Sequence, residues 1–184
     1  MTSSWLKGEI VYQNKWSRVL KNIYKHKNEA KEIFTVDFGR RAAVILSKNK
    51  EILFVKQHRM LIDDYSLELP GGKVEKGESF EEGALRECSE ETGIKCNSLF
   101  EIAFFHPGLE TLNNPTKIFS SNDFIAINAP NISEVESVVW ITELRVQEML
   151  DANQFKDALT QIGLMFYFRK NKLNISYRHS DYSP

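Results

Sequence analysis

Apolar residues along the chain change period several times, and each change marks an element. Over 31–38 they alternate, with Ile33, Thr35 and Asp37 on one side of a pleat and Phe34, Val36 and Phe38 on the other, which predicts a strand; 9–13 and 17–24 read as shorter ones. Runs at 42–46 and 51–55 flank Ser-Lys-Asn-Lys and predict a hairpin. Further strands are predicted at 99–105, 117–127 and 138–141, the first two joined by a polar loop over 106–116. From Ser79 the period lengthens to that of a helix: Phe80, Ala84, Leu85 and Cys88 form a stripe, Ser79 and Glu82 a capping box, and Gly93 a stop. Thr142 caps a helix reaching Leu150, and a last helix from about 154 to 169 places Phe155, Leu159, Ile162 and Phe166 at core spacing. The tail over 170–184 is polar and expected to fray. Strands in clusters with three helices predict an α+β fold, a mixed sheet between helices.

The strand at 31–38 is partly apolar on both faces, so the small amino-terminal sheet it belongs to needs two covers. A second copy of the chain is one source of the outer cover, and Trp5, Val11, Trp16, Val19, Leu20, Ile23, Ile33, Phe34, Val36 and Phe38 are the load it would hide.

Composition narrows the class. With 184 residues, 42% of them hydrophobic, the chain is long enough for a core without disulfides or structural metals. A net charge of −1 gives no electrostatic case for a nucleic acid or an anionic membrane as partner. Two cysteines make no disulfide framework, and no apolar run approaches membrane-spanning length, so a cytoplasmic protein is expected.

The chemistry is concentrated in the helix after Ser79. Glu87, Glu90 and Glu91 fall at i, i+3 and i+4, which stacks three carboxylates on one face. A solvated acidic face is the ordinary reading of such a run. Like charges on adjacent turns repel, however, and a hard divalent cation between oxygen donors relieves that repulsion; Mg²⁺ or Mn²⁺ suits the donors, zinc does not. Arg86 reaches Glu90 one turn on or Glu82 one turn back, and Glu78 lies near the helix start. Lone histidines show no ligand spacing.

The run from Gly72 to Ile94, GKVEKGESFEEGALRECSEETGI, fills every fixed position of G-x5-E-x7-R-E-U-x-E-E-x-G-U, where U is bulky and apolar. A chance match at any one start is of order one in a billion on average residue usage, so composition does not account for it. The motif resembles the signature of the Nudix hydrolases, and the looser resemblance extends from about Trp16 to Phe166. It implies an α/β/α sandwich preceded by a small amino-terminal antiparallel sheet. Gln57-His58-Arg59, Glu68-Leu69-Pro70-Gly71-Gly72, Phe104-Phe105-His106-Pro107-Gly108 and Asp157-Ala158-Leu159-Thr160 resemble, within that family, the ADP-ribose and nucleoside-diphosphate-sugar pyrophosphatases. That subgroup's usual glutamate after Pro-Gly is not in its place; Glu110, near Gly108, is the substitute.

The resemblance implies a division of roles. The Gly71 carbonyl, Glu87 and Glu91 would bind the metal, with Glu90 bridging or holding a further ion, for two or three Mg²⁺ ions in all (Mn²⁺ as the alternative) and with Arg86 beside them. Glu134 aligns with the general base in the loop before 138–141, with Glu136 in reserve; either is otherwise an ordinary loop acid. Arg59 would clamp the diphosphate, and Trp16 or, more weakly, Phe34 would stack the base; their ordinary readings are a surface arginine and core or interface aromatics. Glu68, which more simply fixes the entry to the motif, Gly108 and Glu110 complete the substrate set. The expected division is a sheet extension over 1–38 for dimerisation and base stacking, a catalytic domain over 39–170 and a tail over 171–184. Expected partners are a nucleotide sugar and a second copy in a homodimer. Two other activities fit less well: hydrolysis of dinucleoside polyphosphates, nucleoside triphosphates or capped RNA, and a non-catalytic nucleotide-sugar sensor, which has no need of a complete carboxylate set.

Overall fold

The computed structural model describes residues 4–27, 29–129 and 135–173. Three strands open the chain, β1 (Ser4–Gln13), β2 (Arg18–His26) and β3 (Glu29–Asp37), and β4 (Arg41–Lys48) and β5 (Glu51–Arg59) follow. Next come β6 (Asp64–Glu68), β7 (Gly71–Lys73), α1 (Phe80–Thr92), β8 (Ile94–Cys96), β9 (Phe100–Phe105), β10 (Leu112–Asn113), β11 (Thr116–Ser121), β12 (Phe124–Ala126) and β13 (Ser137–Thr142). Two helices, α2 (Glu143–Asp151) and α3 (Ala158–Leu173), close the chain. Among the described residues no helix is long and apolar enough to cross a membrane.

The main sheet runs β13-β5-β4-β11-β9, with β4 and β11 parallel and the other pairs antiparallel. Strand β4 shows why it lies at the centre. Ala42, Val44 and Leu46 pack toward α1 with Ala84 and Cys88, while Ala43 and Ile45 pack toward α2 and α3 with Val146 and Leu164. A strand covered on both faces loses the polar alternation of a half-exposed one, which explains its continuous apolar run. The result is the mixed sheet between helices that the strand and helix pattern predicted, and the α/β/α sandwich that the family resemblance implied.

β4 and β5 pair only beside their turn, at Ser47↔Ile52 and Lys48↔Glu51, and then separate. The turn is tighter than the four residues expected: Asn49 and Lys50, with φ of 52° and 62°, form it alone. Into the opening between the strands comes the segment after β5, with β6 on the edge of β5 (Val55↔Glu68) and β7 on the edge of β4 (Ala43↔Gly71, Arg41↔Lys73). This wedge delivers Gly71 and Gly72 to the acidic face of α1.

Three expectations need correction. The strand over 117–127 is broken: Asn97 donates twice to Asp123 (its N–H to the Asp123 carbonyl at 2.9 Å, its side-chain amide to the carboxylate at 2.8 Å), and the residues beyond turn away to pair with β8. The last helix begins at Ala158, because the Asp157 carboxylate caps it by accepting from Thr160 N (2.8 Å) and Oγ1 (2.7 Å). With that start, Thr160, Gly163, Leu164 and Tyr167 face the core; Phe155 is buried ahead of the helix, and Phe166 is exposed. The helix also runs to Leu173, into the stretch expected to be tail.

In the amino-terminal sheet β1, β2 and β3 are antiparallel, and the two-residue β10 adds to β3 in parallel. Hydrogen bonds from Val36 N to Thr111 O (2.7 Å) and Phe38 N to Asn113 O (3.0 Å) tie it to the loop after β9.

Candidate active site

Helix α1 is positioned from both ends. Ser79 Oγ accepts from Glu82 N while the Glu82 carboxylate accepts from Ser79 N, and Gly93 closes the helix in the left-handed region at φ 70°, its N–H donating to Ser89 O. The carboxylates then separate into two settings. Arg86 donates through Nη1 to Glu87 (2.9 Å) and Glu90 (3.0 Å), through Nε to Glu78 (2.9 Å) and through Nη2 to the Lys73 carbonyl (2.8 Å). It reaches Glu90 rather than Glu82, whose carboxylate is held by the cap. The hydrogen bond to Glu78 is the largest influence holding the guanidinium protonated, and the same contact, with the Glu75 N–H, keeps the Glu78 carboxyl below its usual range.

Glu91 turns inward and is only 6% exposed. Its carboxylate accepts from Gly71 N (2.8 Å) and Gln57 Nε2 (2.9 Å). Burial pushes this carboxyl up to about 7, the Glu87 charge adding to the rise and the Gly71 and Gln57 donors holding it back. Gly72 permits the approach of Glu87, since a Cβ there would lie 2.5 Å from the Glu87 carboxylate.

Among the described residues no three carboxylate, histidine or cysteine side chains converge closely enough to enclose an ion. Arg86 stands between Glu87 and Glu90, and Glu91 faces the wedge. The donor chemistry nevertheless fits a hard cation: the acidic donors are all oxygens, and both hydrogen-bond partners of the buried Glu91 are neutral, while the Arg41 charge acts on it only from a distance.

The substrate residues expected from the sequence fall into separate places. Arg59 donates through Nε (2.7 Å) and Nη2 to the two oxygens of Glu68. Burial alone would raise the Glu68 carboxyl, but the hydrogen bond and charge of Arg59 outweigh it and leave it below its usual range. Arg59 and Glu68 line a cavity of about 370 Å³ with Arg41, Ser66 and Asp157. Trp16, 65% exposed and with the Lys15 ammonium 4.0 Å from its ring centre, lines a smaller one of about 230 Å³ with Asp37, Gly39 and Lys73. Gly108 and Glu110 line a third, about 640 Å³, between their loop and the inner face of the amino-terminal sheet. Phe34 lies on the opposite face of that sheet and is half exposed. Glu134 lies outside the described residues; Glu136, exposed, follows the buried Val135 and donates its N–H to Lys56 O.

Two participants carried no role in the sequence reading. Gln57 stands two residues from Arg59 on β5, and the period of a strand puts both on one face. Arg41 had no comparable signal; only the pairing of β4 with β7 brings it to the wedge.

The NUDIX domain profile matches residues 37–161. The chain is 26% identical over 138 residues to the ADP-ribose pyrophosphatase of Bacillus subtilis, covering 73% of this chain and 75% of that one. It is 26% identical over 128 residues to a CMP-5'-(N-acetyl-N-hydroxy-3-aminopropyl)phosphonate hydrolase of Streptomyces rubellomurinus, covering 69% and 62%. Over a shorter stretch of 44 residues it is 52% identical to the ADP-sugar pyrophosphatase of Mus musculus, covering 24% and 20%. The fold matches that of a crystal structure of an ADP compounds hydrolase with a TM-score of 0.79 at 16% identity, over 95% of this chain and 96% of the other. Matched from Asp37 to Gln161 and carrying the complete carboxylate helix, this chain belongs to the NUDIX domain family and is a Nudix hydrolase.

Proposed function

We propose that the protein hydrolyses the pyrophosphate bond of ADP-ribose or a related nucleoside diphosphate sugar. The observation that carries this reading is the buried Glu91 carboxylate, set beside Glu87 at the Gly71-Gly72 entry and hydrogen-bonded there by two neutral donors. The similarity to pyrophosphatases named for ADP-ribose and ADP-sugar supports the substrate class.

Nudix hydrolases generally use divalent metals, and in this reading Gly71 O, Glu87, Glu90 and Glu91 would hold two or three Mg²⁺ ions, Mn²⁺ being the alternative. Bound there, the metal would neutralise the phosphoryl oxygens and make water easier to deprotonate. The chain supplies the rest. Arg86 fixes Glu87 and Glu90, while Gln57 and the Gly71 N–H fix Glu91, so the carboxylates are oriented before substrate arrives. Glu134, with Glu136 in reserve, takes the proton of the attacking water. The water oxygen bonds to phosphorus, the bridging P–O bond breaks, and the products are a nucleoside monophosphate and a sugar phosphate. Arg59 holds the diphosphate and Trp16 or Phe34 the base, with Glu68, Gly108 and Glu110 shaping the substrate site.

The acting unit in this reading is a cytoplasmic homodimer in which residues 1–38 form the dimerisation sheet, 39–170 the catalytic domain and 171–184 a tail. Incubation of the pure protein with Mg²⁺ and a panel of nucleotide sugars, dinucleoside polyphosphates and nucleoside triphosphates tests the activity. AMP and ribose 5-phosphate released from ADP-ribose is the expected result. Preferential turnover of triphosphates or dinucleoside polyphosphates, or binding of nucleotide sugars without turnover, would overturn it.

A further inference from the structure

The chain's two cysteines meet beneath the carboxyl end of α1. Cys88 lies near the end of the helix and Cys96 ends β8, with Gly93 at φ 70° turning the chain between them. Their Sγ atoms face each other at 4.0 Å, although the residues are eight apart in sequence. A purely apolar packing role does not describe the pair, because Cys88 Sγ also lies 3.8 Å from Thr92 Oγ1 and 3.8 Å from the Ile94 carbonyl. Access to the two sulfurs is uneven. Cys88 is fully buried, while Cys96 is 6% exposed. The hydrogen bond with the Cys88 thiol holds the Cys96 thiol below its ordinary value, which favours its thiolate. An oxidant therefore meets Cys96 first, and Cys88 is the neighbour placed to resolve it.

Joining the sulfurs means closing 4.0 Å to the about 2.05 Å of a disulfide. The Cys96 side is pinned. β8 pairs with β12 at Cys96↔Phe124, Asn97 beside it donates its N–H and its side-chain amide to Asp123, and the Gly93 carbonyl accepts from Ile127 N (2.8 Å) and Asn128 N (3.2 Å). Cys88 sits in the core layer with Val44, Leu46 and Ala84, where close packing leaves its side chain little room to swing alone. The closure therefore draws on the last turn of α1. Glu91 stands on that turn, three residues after Cys88. Its hydrogen bonds from Gly71 N (2.8 Å) and Gln57 Nε2 (2.9 Å) are lost once the helix end moves by about 1 Å.

We propose that Cys88 and Cys96 form a redox switch on α1, a disulfide made by a hydroperoxide and undone by a dithiol, whose closure pulls Glu91 off Gly71 and slows hydrolysis. The Cys96 sulfur attacks one peroxide oxygen, the O–O bond breaks, the other oxygen leaves with the thiol proton as water or an alcohol, and Cys96 carries a sulfenic acid. The Cys88 sulfur then attacks the Cys96 sulfur, the S–O bond breaks, and the hydroxyl leaves with the Cys88 proton as water. Two electrons have passed from the sulfurs to the peroxide. A dithiol returns them and is itself oxidised to a disulfide. In a reducing compartment such a bridge is a transient state, the usual form of a disulfide there. The effect on turnover rests on the pyrophosphatase reading above; the bridge and the movement of Glu91 do not.

Treatment of the full-length protein with hydrogen peroxide in small molar excess, in EDTA and stopped with catalase, tests the switch. Thiol counting in denaturant and non-reducing peptide mapping should show both thiols consumed and Cys88 linked to Cys96. Exchange of the Gly71 N–H, followed by NMR, should quicken several-fold as its Glu91 acceptor moves away. Once Mg²⁺ is restored, hydrolysis of ADP-ribose should be about 10- to 100-fold slower, the range for a displacement of about 1 Å at a reacting site, and dithiothreitol should reverse all three changes. Cys96→Ser and Cys88→Ala should each match the activity of reduced wild type and keep it under peroxide; either one serves if the other does not fold. Thiols that stay free under peroxide, a link that leaves Gly71 exchange and turnover unchanged, or equal loss of activity in wild type and both variants would overturn the switch. If the reduced protein hydrolyses no nucleotide sugar, the activity reading fails, and the link together with Gly71 exchange still decides the switch.

Discussion

Glu91 is held in two ways that conflict at neutral pH: its carboxylate is fixed by two hydrogen bonds, yet burial lifts its protonation to about 7. A carboxyl raised in the folded state above its unfolded value near 4.3 stabilises the fold at low pH, where it is protonated in both states. That stability is lost as pH rises toward and through 7, because the fold must then hold a buried charge. The loss is about 4 kcal/mol at most for metal-free protein. Thermal melts in EDTA should therefore show wild type losing more stability than Glu91→Gln between pH 5 and 8, and millimolar Mg²⁺ should shrink that difference. Identical pH profiles would mean that Glu91 carries no buried charge. With Mg²⁺ and substrate, Glu91→Gln should lower kcat by orders of magnitude without unfolding the protein. If Glu134 is the base, Glu134→Gln should lower kcat far more than it raises KM, and Glu136→Gln should do little; the opposite ranking would move the role to Glu136. The acidic residues and Arg86 were legible because the helical period alone puts them on one face. Arg41 was not, since its place depends on two strands meeting far apart in sequence, Arg41 opposite Lys73.

At the scale of elements, local sequence determined those whose ends are chemically marked. Helix α1 has the cap and the stop that Ser79, Glu82 and Gly93 announce. Replacing Ser79 by Ala removes one half of the reciprocal pair and should cost about 1 kcal/mol in urea unfolding, with most of the activity kept at temperatures well below the transition. No measurable change would show that packing of Ala84 and Cys88 alone fixes the helix. Elements without such marks were missed. β7 and β8 have three residues each and β10 two, too few for any period to register, and each exists through a partner distant in sequence: β4, β12 and β3 respectively. α3 shows how an unread cap misplaces a face. Asp157 was seen as part of Asp-Ala-Leu-Thr, but starting the helix ahead of it rotated the expected stripe onto Phe166 and off Leu164 and Tyr167.

For the whole molecule, the unresolved balance is the outer face of the amino-terminal sheet. Its inner face, with Asn22, Thr35 and Asp37, looks into the cavity shared with the loop after β9. The register puts Val19, Ile23, Phe34, Val36 and Phe38 on the other face, and Ile23, Phe34 and Phe38 are each more than two-fifths exposed in the single chain. Three large apolar side chains on one face of a small sheet, with the Lys21–Glu32 ion pair set among them, make a surface of the kind that a two-fold partner covers with its own copy. That is the basis for the proposed homodimer, in which Trp16 or Phe34 reaches the nucleotide site of the neighbouring subunit. Light scattering at micromolar concentration should give twice the 21.3 kDa of the chain. Ile23→Asp, which places a charge in the patch far from the carboxylates of α1, should return a monomer and reduce activity on ADP-ribose mainly through KM, since the base would lose its stacking partner while Glu87 and Glu91 keep theirs. A fully active wild-type monomer would exclude the dimer; a monomeric Ile23→Asp variant with unchanged KM would leave the dimer but confine the stacking residue to its own subunit.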